Sequence, residues 1–259
     1  MTASTSAAMP VPATAWRLHR VAPPVKTLRN GVDAAARLAP RSRPVDMGEY
    51  AYVASDAQPR MEIENRAYSN GVFDRMHVEV ARRADETDVH REVSDEVDIL
   101  HSVFIPRREI DVPILSLDVV SINGRVTMAI ADPSPMDHRL PLSYRRGVEN
   151  LQKVRGLASN RAMPEWGREI FSDLCVLTSP RTREELDNFV NYAINLAFFH
   201  VSWTSLHAPD PAKNTAYLDA SRARYVAGHL KNDKTRRMLE TAFGGEFADE
   251  YMRQVMFRF

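Results

Sequence analysis

Between Met61 and Asp132 the chain alternates apolar and polar positions with a period of two. In RMHVEVA, Arg75 to Ala81, this sends Met76, Val78 and Val80 to one side of a strand and His77 and Glu79 to the other. MEIENRAY, VDILHSVFI, PILSLDVVSI and RVTMAIA read as further strands. The last two flank Asn123-Gly124, a two-residue hairpin signal that pairs Ile122 with Arg125. Carried inward without interruption, that register sets Asp118 opposite Ala129 and Val120 opposite Thr127, with Asp118 and Thr127 on one face. The same face carries Ile114, Val120 and Ile122, while Leu115, Leu117 and Val119 point the other way. Asp118 is therefore expected to be an acid on a covered sheet.

After about residue 140 the period becomes helical. TREELDNFVNYAINLAFFHV opens with a capping box, Thr182 to Glu185, and puts Leu186, Phe189, Val190, Ala193 and Ala197 on one stripe. NDKTRRMLETAFGG has Asn232 as N-cap and Gly244 as stop, and EFADEYMRQVMF follows with Phe247, Tyr251 and Val255 at helical spacing. Strands first and helices afterwards predict an α+β protein with helices covering an open antiparallel sheet. Residues 1–45, with six prolines, read as a loose basic arm carrying one short helix near VKTLRNGVDAAARL, and residues 46–259 as a single domain.

Composition adds few constraints. The 259 residues are 44% hydrophobic, enough for a sizeable core, and carry 34 basic and 34 acidic groups, which gives no support to nucleic-acid or membrane-surface binding. The arm is the exception, with Arg17, Arg20, Lys26, Arg29, Arg37, Arg41 and Arg43 against Asp33 alone. No apolar run approaches the roughly 20 residues of a membrane span, and the start lacks the apolar stretch of a secretory signal. A cytoplasmic protein is expected, or a plastid one should the acid-poor start serve as a transit segment. The single cysteine, Cys175, excludes an intrachain disulfide, a four-cysteine iron–sulfur cluster and a thiolate zinc site.

The sequence shows no GxGxxG after a strand, no P-loop and no GxSxG elbow; Gly244-Gly245 ends a helix instead of opening one. His77, Glu79 and His101 are residue types that ligate zinc or iron, but their spacing matches no strong metal motif, and no metal is expected. A buried His–carboxylate pair can also be purely structural. What favours chemistry is the grouping of His77, Glu79, His101 and Asp118, four ionisable side chains on three consecutive strands with apolar neighbours. Desolvation raises a carboxylate pKa and lowers a histidine's, bringing both towards neutrality, where groups donate and accept protons.

The blocks IENRAY, FDRMHVEVA, DILHSVF, VPILSLDVV, VTMAIADPSP, MPEWGREIFS, NDKTRRMLETAFG and EYMRQVMF, in this order, resemble the ferredoxin-dependent bilin reductases, and most closely their phycocyanobilin-forming branch. The resemblance implies an α/β/α sandwich with a central antiparallel sheet between helices. It implies four-electron reduction of biliverdin IXα to phycocyanobilin, D-ring vinyl first and A-ring second, with no bound cofactor and with electrons taken singly from a reduced iron–sulfur ferredoxin. Phycoerythrobilin, phytochromobilin or a two-electron dihydrobiliverdin are the other products open to such a reductase, and a non-catalytic bilin carrier is the alternative of another class. By the same resemblance Glu79, His77, His101, Asp118 and Asp233 are catalytic, and Thr127, Arg161 and Lys234 hold the substrate propionates. A monomer is expected, with haem oxygenase or a phytochrome-type bilin acceptor as further partners. A ferredoxin is expected to dock on a basic rim formed by the arm and by Lys231, Lys234, Arg236 and Arg237. Two departures bear on the product: the segment between Glu79 and His101 is about ten residues longer than the branch has, and Ser116-Leu117 precede Asp118 where a small residue is common.

Overall fold

The computed structural model describes residues 15–84, 96–136, 139–207 and 215–258. Helix α1 (Pro23–Leu38) comes first, then strands β1 (Arg43–Val45), β2 (Tyr52–Ala54), β3 (Arg60–Ser69), β4 (Phe73–Ala84), β5 (Val97–Pro106), β6 (Ile114–Ile122) and β7 (Arg125–Ser134). Helix α2 (Leu142–Arg155), strand β8 (Val176–Thr178) and helices α3 (Arg183–His207), α4 (Ala216–Leu230), α5 (Asp233–Phe243) and α6 (Gly245–Tyr251) complete the order, with a π turn over Met252–Met256. The strands form one antiparallel sheet in the order β1-β3-β4-β5-β6-β7-β8, with β2 also on β3. The five strands expected from alternation are β3 to β7. The lengthened segment lies largely outside the described residues: β4 continues to Ala84 and β5 begins at Val97, and 85–95 are not described. So does most of the acid-poor start, of which 1–14 are not described.

The period-two pattern separates two cores, as the physics of a pleated sheet requires. Met76, Val78, Val80, Leu100, Leu115, Leu117 and Val119 pack under α1, α2 and α3. On the opposite face Met61, Ile63 and Ala81 pack under α5, α6 and the π turn, and Val103, Ile105 and Ile114 under α4. The fold is thus α+β in three layers. The N-terminal segment is not loose from Trp16 onward. Trp16, Leu18, Val21, Val25, Leu28, Val32, Ala35 and Ala36 are buried in the first core, and the buried Asp33 accepts from Tyr68 on β3 at 2.8 Å. Prolines at 23 and 24 misled the reading of an arm: they occupy the first helical turn, where the missing N–H costs nothing.

The β6–β7 turn pairs Ile122 with Arg125, with Asn123 and Gly124 both at positive φ, as a two-residue primed turn demands. Beyond it the uninterrupted register fails. A bulge between Val120 and Ser121 adds one residue on β7, so Val120 faces Met128 and Asp118 faces Ile130. Thr127 is the extra residue, and its hydroxyl donates to the Val120 carbonyl at 3.3 Å. Among the described residues no helix is long and apolar enough to cross a membrane.

Two local features carry predictions. Gly228 of α4 meets Ile170, and a Cβ on it would lie 2.5 Å from Ile170 Cγ2. Because Ile170 is β-branched and buried, its Cγ2 cannot swing aside freely. Gly228→Val should cost about 1–3 kcal/mol in overpacking despite valine's better helix propensity, read as a lower midpoint in urea unfolding. His200 of α3 is fully buried between Phe73, Phe104 and Tyr144, with Nδ1 2.8 Å from the Tyr144 hydroxyl. Burial lowers its pKa to about 3. The unfolded chain then binds a proton that the folded chain refuses. The contribution of this group is present above about pH 6.5 and is lost as the pH falls, by about 2 kcal/mol between pH 7 and pH 5. His200→Asn should flatten the acid limb of the stability curve by that amount, and an unchanged limb would refute the assignment.

Candidate active site

Strand pairing sets Asn65 of β3, Glu79 of β4, His101 of β5, Asp118 of β6 and Ile130 of β7 side by side in one row across the sheet. Non-consecutive acids and bases in the sequence thereby become cross-strand neighbours. From Glu79 onward the row is the floor of a cavity of about 450 Å³, with Val97, Ile99, Val120 and Met128 beside it. The walls come from Pro164, Trp166 and Phe171 before β8, from His229 at the end of α4, from Asn232, Lys234 and Met238 around α5, and from Met252, Met256 and Phe257 at the C-terminus. A larger groove of about 890 Å³ along the β1–β3 edge holds none of the row except Asn65. The cavity over the row, which gathers Glu79, His101 and Asp118, is the candidate active site.

His101 Nδ1 lies 2.5 Å from Asp118 Oδ1. Burial opposes a charge on His101, but the adjacent carboxylate of Asp118, with help from Glu79, outweighs it and holds the imidazole pKa above its ordinary value. Glu79, also buried, is pushed up by desolvation, against the pull of His101 and a bond from Tyr251. A histidine whose pKa is raised by a neighbouring carboxylate and a carboxyl whose pKa is raised by burial thus stand next to each other in the floor. His101 Nε2 is buried and has no hydrogen-bond partner among the described residues, which leaves this ring nitrogen available to a ligand.

His77 is fully buried and is not part of the cavity lining. Desolvation, followed by the charges of Arg75 and His101, keeps its pKa well below the ordinary value. Asp233 also stands apart. It opens α5 with an exposed side chain bonded to Arg237 one turn on, while its neighbours Asn232 and Lys234 line the cavity. The first turn of α5 fans consecutive residues about 100° apart, so one carboxylate can face solvent between two inward neighbours. Arg161 and Lys234 both line the cavity. Thr127 does not; its carbonyl accepts from Arg161 Nη1 at 2.9 Å, so it steadies the guanidinium through its backbone. In the supposed basic rim Lys231 is bonded to Glu169, Arg236 to Asp249 and Glu240, and Arg237 to Asp233. Of those four, Lys234 alone has a side chain without an ion-pair partner among the described residues.

Three site residues escaped the sequence reading. Asn65 became visible only through the β3–β4 register, and Tyr251 was assigned to a helical core stripe. His229, buried among Trp166, Phe171, Tyr225 and Phe257 with its pKa lowered to about 4 by burial, carried no spacing signal at all. Among the described residues no group of three His, Cys, Asp or Glu side chains is arranged to hold a metal ion.

Comparisons with known proteins identify the family and the fold. The profile of the family described as ferredoxin-dependent bilin reductase matches residues 26–258. Phycocyanobilin:ferredoxin oxidoreductase of Trichodesmium erythraeum is 30% identical over 242 residues, covering 91% of this chain and 93% of the relative. The protein of the same name from a Synechococcus species is 33% identical over 247 residues, covering 91% and 92%. Among solved structures, phytochromobilin synthase from tomato, in complex with biliverdin, superposes with a TM-score of 0.70 at 12% identity, covering 90% of this chain and 82% of that one, which is a likeness of fold. The chain belongs to the ferredoxin-dependent bilin reductases, oxidoreductases that act on biliverdin-type bilins with ferredoxin as electron donor.

Proposed function

We propose that this chain reduces biliverdin IXα to phycocyanobilin, taking four electrons singly from reduced ferredoxin, at the D-ring vinyl first and the A-ring second. One observation carries the reading: Glu79, His101 and Asp118 are consecutive cross-strand neighbours in the floor of one cavity. Each electron added to a conjugated tetrapyrrole makes it more basic, and a proton must follow. The His101–Asp118 pair is suited to deliver it, because the carboxylate keeps a proton on an imidazole that burial alone would strip. Glu79, held towards its neutral form, is the second donor and is assigned to the vinyl group. His101 and Asp118 are in direct contact, so the first protonation is assigned to the pair and not to either residue alone.

Arg161 and Lys234 are the proposed partners of the two propionates. Both line the cavity, and an arginine grips a carboxylate through two parallel bonds, which fixes the ring system as well as holding it. Thr127 serves this site through the Arg161 contact and not through its hydroxyl. Asp233, exposed and bonded to Arg237, is not assigned a proton-transfer role.

The test is an anaerobic reaction of the protein with biliverdin, ferredoxin and a reducing system, with products separated by chromatography. Phycocyanobilin is the expected end product, and accumulation of a vinyl-bearing bilin as end product would refute the regiochemistry. A carrier would change the absorption spectrum once, on binding, and then stop.

A further inference from the structure

Behind Glu79, among residues that do not line the cavity, runs a chain of hydrogen bonds whose direction can be read from one end to the other. It begins at the backbone carbonyl of Tyr50, which can only accept. Asn65 Nδ2 lies 2.7 Å from it, so the amide nitrogen of Asn65 faces Tyr50 and its oxygen faces the other way. That oxygen is 2.8 Å from His77 Nε2, which must therefore carry the hydrogen. The buried Nδ1 of His77 has no partner among the described residues; an unshared lone pair there is tolerable, whereas an N–H would be an orphaned donor. The second hydrogen of Asn65 Nδ2 points at the Tyr251 oxygen at 2.9 Å. Tyr251 lies 3.0 Å from Asn65 Oδ1, already occupied by His77, and 2.9 Å from Glu79 Oε2, the stronger acceptor when ionised. The Tyr251 proton accordingly goes to Glu79. All four side chains are buried, and the Tyr251 ring is pinned by Tyr50 and Phe247.

We infer that Tyr251, oriented by Asn65 and His77, is a positioning residue that occupies the inner oxygen of the Glu79 carboxyl and so directs its acidic proton to the oxygen facing the bilin. The inference rests on Glu79 being the vinyl donor. It also moves His77 from the set of residues that touch substrate to the set that acts through others, in keeping with its absence from the cavity lining. The other ionisable groups facing this chain are Arg75 on β4, His101 on β5 and Asp118 on β6.

Tyr251→Phe keeps the ring and removes the donor. In the ferredoxin reaction it should raise the ratio of vinyl-retaining to vinyl-reduced product by up to about tenfold, the value of one hydrogen bond to a neutral carboxyl. Two measurements on the bilin-free protein test the chain independently of the reaction. The carboxyl band of Glu79, identified in infrared difference spectra by its loss in Glu79→Gln, should shift in Tyr251→Phe, and ¹⁵N NMR should show His77 as the Nε2–H tautomer from pH 5 to 8. An unshifted band, an Nδ1–H tautomer, or a wild-type product ratio in Tyr251→Phe overturns the inference. Should the wild type itself never reduce the vinyl group, the vinyl assignment falls while the infrared and NMR results still decide the chain. Should Tyr251→Phe fail to fold, the His77 tautomer in the wild type decides it.

Discussion

Asp118→Asn is expected to bind biliverdin with an affinity near that of the wild type and to turn it over 10²- to 10⁴-fold more slowly, roughly the range of a general acid–base contribution. Asparagine preserves the shape of the side chain and can still accept from His101 Nδ1 across the 2.5 Å contact. What it cannot do is supply the negative charge that offsets the cost of burying a protonated imidazole. The variant thus lowers the readiness of His101 to carry a proton. The first electron still arrives from ferredoxin, so a bilin radical should accumulate and be visible by absorption and by electron paramagnetic resonance. Because the two side chains act as one unit, His101→Gln should impair the same step, and the double variant should be little slower than the worse single one. Near-normal turnover in Asp118→Asn would assign the residue to structure.

The sequence spoke clearly wherever a residue's partner lay along the same element. Alternation separated His77 and Glu79 from Met76, Val78 and Val80, and the Asn-Gly turn fixed the end of the β6–β7 ladder. Of the capping box the first half is made, the Thr182 hydroxyl accepting from Glu185 N at 3.1 Å, while the Glu185 carboxylate accepts from Arg181 N at 2.7 Å instead of from Thr182. Legibility failed at features set by partners far away in the chain. The bulge that carries Thr127 off the Asp118 register leaves no mark in a run of alternating residues. The Asn65–Glu79 neighbourhood depends on the β3–β4 register, and the bond from Tyr251 to Glu79 spans 172 positions. At Asp233 the placement is likewise not written in the sequence: one helical step separates its exposed side chain, bonded to Arg237, from Asn232 and Lys234, which line the cavity. The arm was misjudged for a related reason. Prolines mark loops by propensity, but α1 is held by burial against the sheet and α3, which propensity does not register.

The second large effect decides the product. Glu79→Gln retains the size of the side chain and its bond with Tyr251, since a Gln oxygen accepts as the carboxyl does, but it has no acidic proton to give. The His101–Asp118 pair keeps its contact, and the floor of the cavity is otherwise unchanged. Protonation at the D-ring vinyl should therefore be lost selectively, by 10²-fold or more, while reduction at the A-ring continues. The expected end product keeps its vinyl group, as phytochromobilin does. If Glu79 instead served only as a counter-charge to His101, both reductions would decline together, because removing the charge would lower the imidazole pKa that the A-ring step also uses. Chromatography of the variant's products separates the two outcomes. A new vinyl-bearing bilin assigns Glu79 to proton donation, and a uniform slowing with phycocyanobilin still the end product assigns it to electrostatics.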